Sequence, residues 1–171
     1  VKPPFPAQKG VFGMPTTINN VETLADVPLI VNRGAAWFAG IGPEKHTGPV
    51  LYGISGHVNK PGVYEYPTGM LITDLLEVAG GARGGKKIKA VVPGGSSTPP
   101  LTWAMAEPAT MDAETLREAG SSMGTAGLCF LDEDTEIANV TITVGLAAGG
   151  GDFVSSMHPG ARETWTGPLT A

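Results

Sequence analysis

Asn19, Asn20 and Thr23 are the residues best suited, by type and spacing, to hold a polar ligand. They stand in Pro15-Thr16-Thr17-Ile18-Asn19-Asn20-Val21-Glu22-Thr23-Leu24, which joins turn residues, two adjacent amides and a helix start. An Asn ahead of Val21, Glu22 and Thr23, with Leu24 and Val27 following, reads as a helix N-cap. There the side-chain oxygen accepts a bond from an otherwise unpaired backbone N–H. One cap needs one amide, so the second is spare. A helix N-terminus also attracts anions, because its N–H groups are free and the dipole is positive there. Thr23 adds a hydroxyl one turn on. Two readings stand: a well-capped surface helix with a spare Asn, or a polar-ligand site over Asn19–Thr23.

Phe5 sits in Pro3-Pro4-Phe5-Pro6, a stiff loop that presents one ring. It either anchors the loop onto its own domain or offers a flat face for stacking. Gly80-Gly81-Ala82-Arg83-Gly84-Gly85-Lys86-Lys87 nearly fits a phosphate-binding loop. Lys87 replaces the magnesium-holding Ser or Thr, and the stretch runs from a helix to a strand, the wrong way round. Nucleoside triphosphate binding is therefore excluded. His46, His57 and His158 have no partner at metal-ligand spacing and read as exposed or turn residues. Gly94-Gly95-Ser96-Ser97 could cradle an anion but reads better as a turn. No residue is assigned as a proton-transfer catalyst or a metal ligand.

Composition narrows the classes further. A net charge of −5 over 171 residues argues against a nucleic-acid surface. One cysteine, Cys129, excludes an internal disulfide. No apolar run approaches a membrane span, and the start lacks a signal-peptide layout. The chain reads as soluble and intracellular, and its start without Met suggests a fragment. Asn139-Val140-Thr141 fits a glycosylation sequon but reads as chance without a secretory signal. With 25 Gly and 15 Pro, many turns and short elements are expected rather than a helical bundle.

These elements must position the chemistry. Residues 1–18 are predicted as extended loop, since Pro fixes φ and restrains its predecessor. A helix should start after Asn20, with Pro28 at a break or a fresh first turn. A second apolar stretch through Trp37 and Phe38 ends at Gly40-Ile41-Gly42-Pro43, and residues 43–48 read as a linker. From Pro49 the period changes. Strands are predicted at 50–56, 62–66, 88–92 and 126–131. Short helices are predicted at 73–79, stopped by Gly80-Gly81, and at 112–117.

Longer strings carry a resemblance. Lys2-Pro3-Pro4-Phe5-Pro6-Ala7-Gln8-Lys9-Gly10 and Gly13-Met14-Pro15-Thr16-Thr17-Ile18-Asn19-Asn20-Val21-Glu22-Thr23 open it. Ser55-Gly56-His57-Val58-Asn59-Lys60-Pro61-Gly62-Val63-Tyr64-Glu65, Val92-Pro93-Gly94-Gly95-Ser96-Ser97-Thr98-Pro99 and Gly120-Ser121-Ser122-Met123-Gly124-Thr125-Ala126-Gly127 continue it. In order and in register, these closely resemble the flavoprotein (51-kDa, or F) subunit of respiratory NADH–quinone oxidoreductase, complex I. Related flavin subunits of NAD-linked hydrogenases and formate dehydrogenases share the module.

The resemblance implies an α+β fold. A β-grasp (ubiquitin-like, soluble-ligand-binding, SLBB-type) domain over residues 46–133 would follow residues 1–45, the C-terminal loop and helix of an FMN- and NADH-binding α/β domain. The predicted order of hairpin, helix, strand, excursion and strand agrees with a β-grasp. It further implies that Asn19, Asn20 and Thr23 contact FMN, that Phe5 stacks on the adenine of NADH and that Lys2 lies near its ribose. The family reaction passes a hydride from NADH to FMN, then electrons through iron–sulfur clusters toward quinone. Implied partners are the other peripheral-arm subunits, especially the 24-kDa 2Fe–2S subunit and the large iron–sulfur subunit, with no nucleic acid and no membrane insertion. The implied place is cytoplasmic, on the inner face of a bacterial plasma membrane. A non-catalytic β-grasp ligand-binding or docking module is the alternative.

The family's next segment holds a 4Fe–4S cluster through a cysteine-rich run. Such a cluster takes four thiolates, and this chain has Cys129 alone. Residues 134–171 read as an atypical tail, with Met157-His158-Pro159-Gly160-Ala161-Arg162-Glu163-Thr164 where the cysteines are expected. A shifted reading frame and true divergence both account for it. The family's Gly-rich FMN phosphate loop and its acidic NADH-contacting residues would lie before Val1.

Overall fold

The structure, a computed structural model, describes residues 4–137. The chain divides into two units, Val1–Gly40 and Ile41–Ala171.

In unit 1, residues 4–20 fold into tight turns rather than the extended loop expected from their prolines. The Phe5 carbonyl accepts from Gln8 N and Lys9 N, and Thr16 N donates to the Pro6 carbonyl at 2.9 Å. Three small residues, Ala7, Gly10 and Gly13, let the chain double back between the prolines. Helix α1 (Val21–Arg33) follows, capped by Asn20, whose side chain accepts from Glu22 N at 2.8 Å. Pro28 lies inside α1 and does not break it, contrary to the sequence expectation. It removes one hydrogen bond, but the Asn20 cap holds the start. At the other end, Gly34 N donates to the Ile30 carbonyl at 2.8 Å. Gly34, at φ 89, then separates α1 from the short α2 (Ala35–Ala39). No residue from 4 to 40 is buried.

Unit 2 is built on a five-stranded sheet. Its strands are β1 (Pro49–Gly56), β2 (Gly62–Pro67), β3 (Ile88–Val92), β4 (Leu101–Thr102) and β5 (Gly127–Asp132), in the order β2-β1-β5-β3-β4. The hairpin β1–β2 is antiparallel, closed by Asn59-Lys60-Pro61. Strand β5 enters the centre, parallel to β1 with Ile54 opposite Leu128 and antiparallel to β3 with Val91 opposite Phe130. This is the β-grasp order, and the fold is a β-grasp-like α+β fold.

Alternation sets the core. Tyr52 and Ile54 of β1 and Leu128 and Phe130 of β5 turn to one face. Ile72 and Leu75 of helix α3 (Ile72–Val78), Met111, and Leu116 of helix α5 (Ala113–Glu118) pack onto it. The opposite face gathers Ala90, Val92, Cys129 and Leu131, with Ile137 against them. Helix α3 stops at Gly80 and Gly81, both at φ 76. Asp112 caps α5 by accepting from Glu114 N and Thr115 N, and it also receives the hydroxyls of Thr110 and Thr115. Burial alone would raise its pKa, but these donors hold the carboxyl below its ordinary range.

Sequence reading missed β4 and the adjoining helix α4 (Trp103–Ala106). A two-residue strand and a one-turn helix carry no readable period. Their role is local closure: the Trp103 and Phe130 rings meet at 6.5 Å between centroids.

Two backbone positions stand out. Gly56, at φ 86, passes so close to β5 that a Cβ there would lie 2.2 Å from the Phe130 carbonyl oxygen. Phe12 is a non-glycine residue at φ 52, ψ 25. A left-handed conformation of this kind costs about 1–3 kcal/mol and persists only where the surroundings enforce it.

Candidate functional site

The sequence-predicted polar site lies at the start of α1. Asn20 spends its Oδ1 on the cap. Asn19 and Thr23 are exposed, and among the described residues their side chains make no hydrogen bond. Two amide groups and a hydroxyl are thus presented together at one helix start. Such a set suits a ligand edge that mixes donors and acceptors. Glu22 adds a carboxylate in the first turn of α1. It offsets the positive end of the helix dipole, so a bare phosphate is disfavoured here and neutral polar groups are favoured.

Phe5 belongs to the same unit as this helix start. Its side chain is 65 % exposed. With Pro6, Ala7, Pro15, Thr16, Thr17 and Ile18 it lines an apolar depression of about 440 Å³. The turn from Phe5 to Lys9 fixes the backbone under the ring, and the Thr16–Pro6 hydrogen bond holds the two walls together. The structure therefore brings Phe5 next to Thr16–Ile18, directly before Asn19. Lys2 lies outside the described residues, as do His158, the glycosylation sequon and the tail from 138 onward.

Unit 2 holds a polar cluster that sequence reading missed. His57 Nδ1 accepts from the Asp132 backbone N–H at 3.2 Å and lies 3.5 Å from Asp132 Oδ1. Lys86 Nζ reaches Asp132 at 3.3 Å and Asp134 at 2.7 Å. Thr135 Oγ1 donates to Asp132 Oδ1 at 2.9 Å, and Lys89 Nζ donates to the Thr135 carbonyl at 2.9 Å. Asp132 is buried. Desolvation would raise its pKa, but Thr135, Lys86 and His57 hold the carboxyl below its ordinary range. The hydrogen bonds to Asp134 and Asp132 raise Lys86. Some 75 residues separate His57 from Asp132, so no local signal could have paired them.

This cluster accounts for the Gly-rich loop of residues 80–87. The loop runs from α3 to β3, and Lys86 turns to two carboxylates rather than to an open anion cradle. The cluster ties the end of β5 to the end of β1 and the start of β3. Among the described residues no three His, Cys, Asp or Glu side chains group as a metal site. Cys129 is buried, and burial pushes its thiol up to about 11, which makes it a poor nucleophile. Gly94 and Gly95 form the expected turn, closed by Thr98, whose Oγ1 accepts from Gly94 N at 3.1 Å. Among the described residues no helix is long and apolar enough to cross a membrane.

Comparison with known proteins agrees with this layout. Residues 51–125 match the SLBB domain family. The F subunit of NADH-quinone oxidoreductase in Rickettsia bellii is 51 % identical over 139 residues, covering 80 % of this chain and 33 % of the relative. The F 2 subunit of the same enzyme in Rhizobium meliloti is 52 % identical over 136 residues, covering 79 % of this chain and 32 % of the relative. Among solved structures, a chain of an NAD+-reducing [NiFe]-hydrogenase in the air-oxidized state superposes with a TM-score of 0.67 at 30 % identity. That match covers 84 % of this chain and 24 % of the hydrogenase chain. Residues 51–125 match an SLBB domain and have β-grasp order, about half of the aligned residues are identical to those of NADH-quinone oxidoreductase F subunits, and the chain, similar to these subunits, spans about a third of the length of the curated relatives it matches.

Proposed function

We propose that this chain forms part of an NADH dehydrogenase flavoprotein subunit, working within a multi-subunit NADH:quinone oxidoreductase. In this reading FMN, when bound, supplies hydride acceptance from NADH and release of single electrons toward iron–sulfur clusters and quinone. The chain's own residues bind and orient. Asn19 and Thr23 offer polar groups without a partner among the described residues, beside the capping Asn20. Glu22 in the same turn supports a reading in which they meet the neutral parts of the flavin rather than its phosphate. The exposed Phe5 ring stacks on the adenine of NADH, with Lys2 near the ribose. Stacking of this kind is worth about 1–3 kcal/mol. The carrying observation is the placement of Phe5, Thr16–Ile18 and Asn19–Thr23 in one small unit. A 4Fe–4S centre takes four thiolates, and the one cysteine of this sequence, Cys129, does not supply them. The partners are peripheral-arm subunits, among them the 24-kDa 2Fe–2S and large iron–sulfur subunits, at the cytoplasmic face of the membrane.

A flavin subunit of an NAD-linked hydrogenase is the second reading, favoured by the solved-structure match. The higher identity to the oxidoreductase F subunits, 51 % against 30 %, places it behind. The test is the double variant Asn19→Ala and Asn20→Ala in the full-length subunit. At about 1 kcal/mol for each lost hydrogen bond, FMN affinity should fall by roughly tenfold or more. A well-folded double variant with stoichiometric FMN overturns the assignment.

A further inference from the structure

We propose that Thr16 is a positioning residue for NADH, its backbone N–H and its hydroxyl together setting the wall on which the Phe5 ring is presented. The inference rests on the reading that Phe5 meets the adenine of NADH. It deepens that reading by naming the residue that fixes the backbone under the ring.

Backbone donors are scarce in this loop, because Pro4, Pro6 and Pro15 have no N–H. Among the described residues, two backbone hydrogen bonds cross between the arms 5–10 and 14–18. Thr16 N donates to the Pro6 carbonyl at 2.9 Å, and Gly10 N to the Met14 carbonyl at 2.7 Å. The Thr16 hydroxyl then closes the tip between the arms. It accepts from Val11 N at 2.9 Å and donates to the Met14 carbonyl at 3.0 Å. Thr side chains commonly satisfy nearby backbone groups in this way. Here one residue ties both arms and the tip.

Burial picks out the same residue. From 4 to 20, Pro6, Gly10 and Thr16 are partly buried and every other residue is exposed. These three meet one another. A Cβ on Gly10 would fall 2.3 Å from Thr16 Oγ1 and 3.0 Å from the Pro6 carbonyl oxygen. Phe5 is bonded directly to Pro6, and its own carbonyl accepts from Gln8 N and Lys9 N. The backbone under the ring is thus held by its own turn and, one residue on, by Thr16. Thr16 also lines the depression with the ring.

The arrangement separates two halves of the candidate site. The Asn20 cap closes on Glu22 N and does not involve Thr16. No residue from 4 to 40 is buried, so losing the Thr16 hydroxyl loosens the loop without emptying a core. A ring on an ordered backbone loses less freedom when a base stacks on it. Loosening that backbone weakens binding of NADH in the ground state and the transition state alike. Such a loss raises KM and leaves kcat in place.

The test uses the assembled NADH:quinone oxidoreductase carrying the full-length subunit, with ferricyanide as electron acceptor. Thr16→Val keeps the side-chain shape and removes both hydroxyl hydrogen bonds. It should raise KM for NADH about tenfold while FMN content and kcat stay within about twofold. Thr16→Ser keeps the hydroxyl and should restore KM to within about threefold of the unmodified enzyme. Gly10→Ala drives the Thr16 side chain away and should act as Thr16→Val does. In a Phe5→Ala background, Thr16→Val should change KM by less than about twofold, because its effect passes through the ring. Reduced nicotinamide mononucleotide, which lacks the adenine, should serve Thr16→Val and the unmodified enzyme equally. An unchanged KM for NADH in Thr16→Val overturns the proposal, as does an effect that persists without the Phe5 ring or without the adenine. Loss of FMN in both Thr16→Val and Gly10→Ala marks a general scaffold residue and overturns it too; where one of them retains FMN, that variant decides. If Phe5→Ala alone leaves KM for NADH unchanged, the functional reading of Phe5 falls and this inference with it. If Phe5→Ala raises KM and Thr16→Val does not, only the role of Thr16 falls.

Discussion

Helices α1 and α3 show how differently the two units use the same residue types. Helix α1 carries Val21, Leu24, Val27, Leu29, Ile30 and Val31 and buries none of them, with Val21 81 % exposed. Helix α3 is about half as long and buries Ile72 and Leu75 completely. Apolar residues alone do not make a core; a sheet face to receive them does. Unit 2 supplies that face with Tyr52, Ile54, Leu128 and Phe130. Unit 1 supplies capping and turn hydrogen bonds instead. Its order is local. Unit 2 holds a buried core, whereas the described residues of unit 1 hold none.

The sharpest way to break this contrast is to remove matching atoms from each unit. Phe130→Ala empties the centre of the sheet core and should cost about 3–5 kcal/mol, read by chemical denaturation with far-UV circular dichroism. Gly56→Ala belongs with it, since its methyl group would meet the Phe130 carbonyl. A loss below about 1 kcal/mol for Phe130→Ala would mean that the core is not cooperative.

Alkaline titration sharpens the contrast with a smaller effect. Tyr52 is fully buried and donates its hydroxyl to the Pro67 carbonyl at 2.9 Å. Burial pushes its pKa up from 10.0 to about 12. Because the folded pKa is raised, the associated stability is fully present below pH 10 and disappears as pH rises toward 12. The loss across that window is about 2 kcal/mol. Unit 2 should lose stability in this range, read by chemical denaturation at a series of pH values, with the ionisation of Tyr52 followed by tyrosinate absorbance. Tyr52→Phe should flatten the pH dependence while costing about 1 kcal/mol at neutral pH through the lost hydrogen bond.

The smallest expected change is the most telling about unit 1. Leu24→Ala should alter the stability of this chain by no more than about 0.5 kcal/mol, as for other surface substitutions. In the full-length subunit the same change should cost more wherever α1 is covered. Equal values in both contexts, measured by thermal unfolding, would show that α1 stays a bare face in the whole protein.

Legibility followed the range of the signal. Strands β1, β2 and β3 were readable because each alternates or is β-branched and ends on or before Gly or Pro, and β5 because Leu128-Cys129-Phe130-Leu131 is a short continuous apolar run. The Asn20 cap was readable because its partner, Glu22 N, is two residues away. Pro28 misled because a local rule against proline in helices was outweighed by hydrogen bonds at both helix ends. The His57–Asp132–Lys86 cluster was invisible because topology, not spacing, assembles it. The strain at Phe12 was equally hidden, since nothing in Val11-Phe12-Gly13 announces a positive φ at the aromatic. The polar groups of Asn19 and Thr23 were legible as chemistry, but their place beside the Phe5 depression needed the turn that Thr16 and Pro6 close.

The parallel pairing of β1 with β5 has a consequence for how the domain comes into being. The strand that completes the middle of the sheet is the last one made: Ile54 must wait for Leu128, and Ser55 for Cys129. During synthesis the β1–β2 hairpin and α3 emerge with one side of β1 unpaired and their apolar faces uncovered. At about 5–20 residues per second, that exposure lasts several seconds or more before β5 leaves the ribosome. Folding of unit 2 therefore waits until β5 has been made. Truncation ahead of Gly127 removes the sheet's central strand rather than trimming an edge.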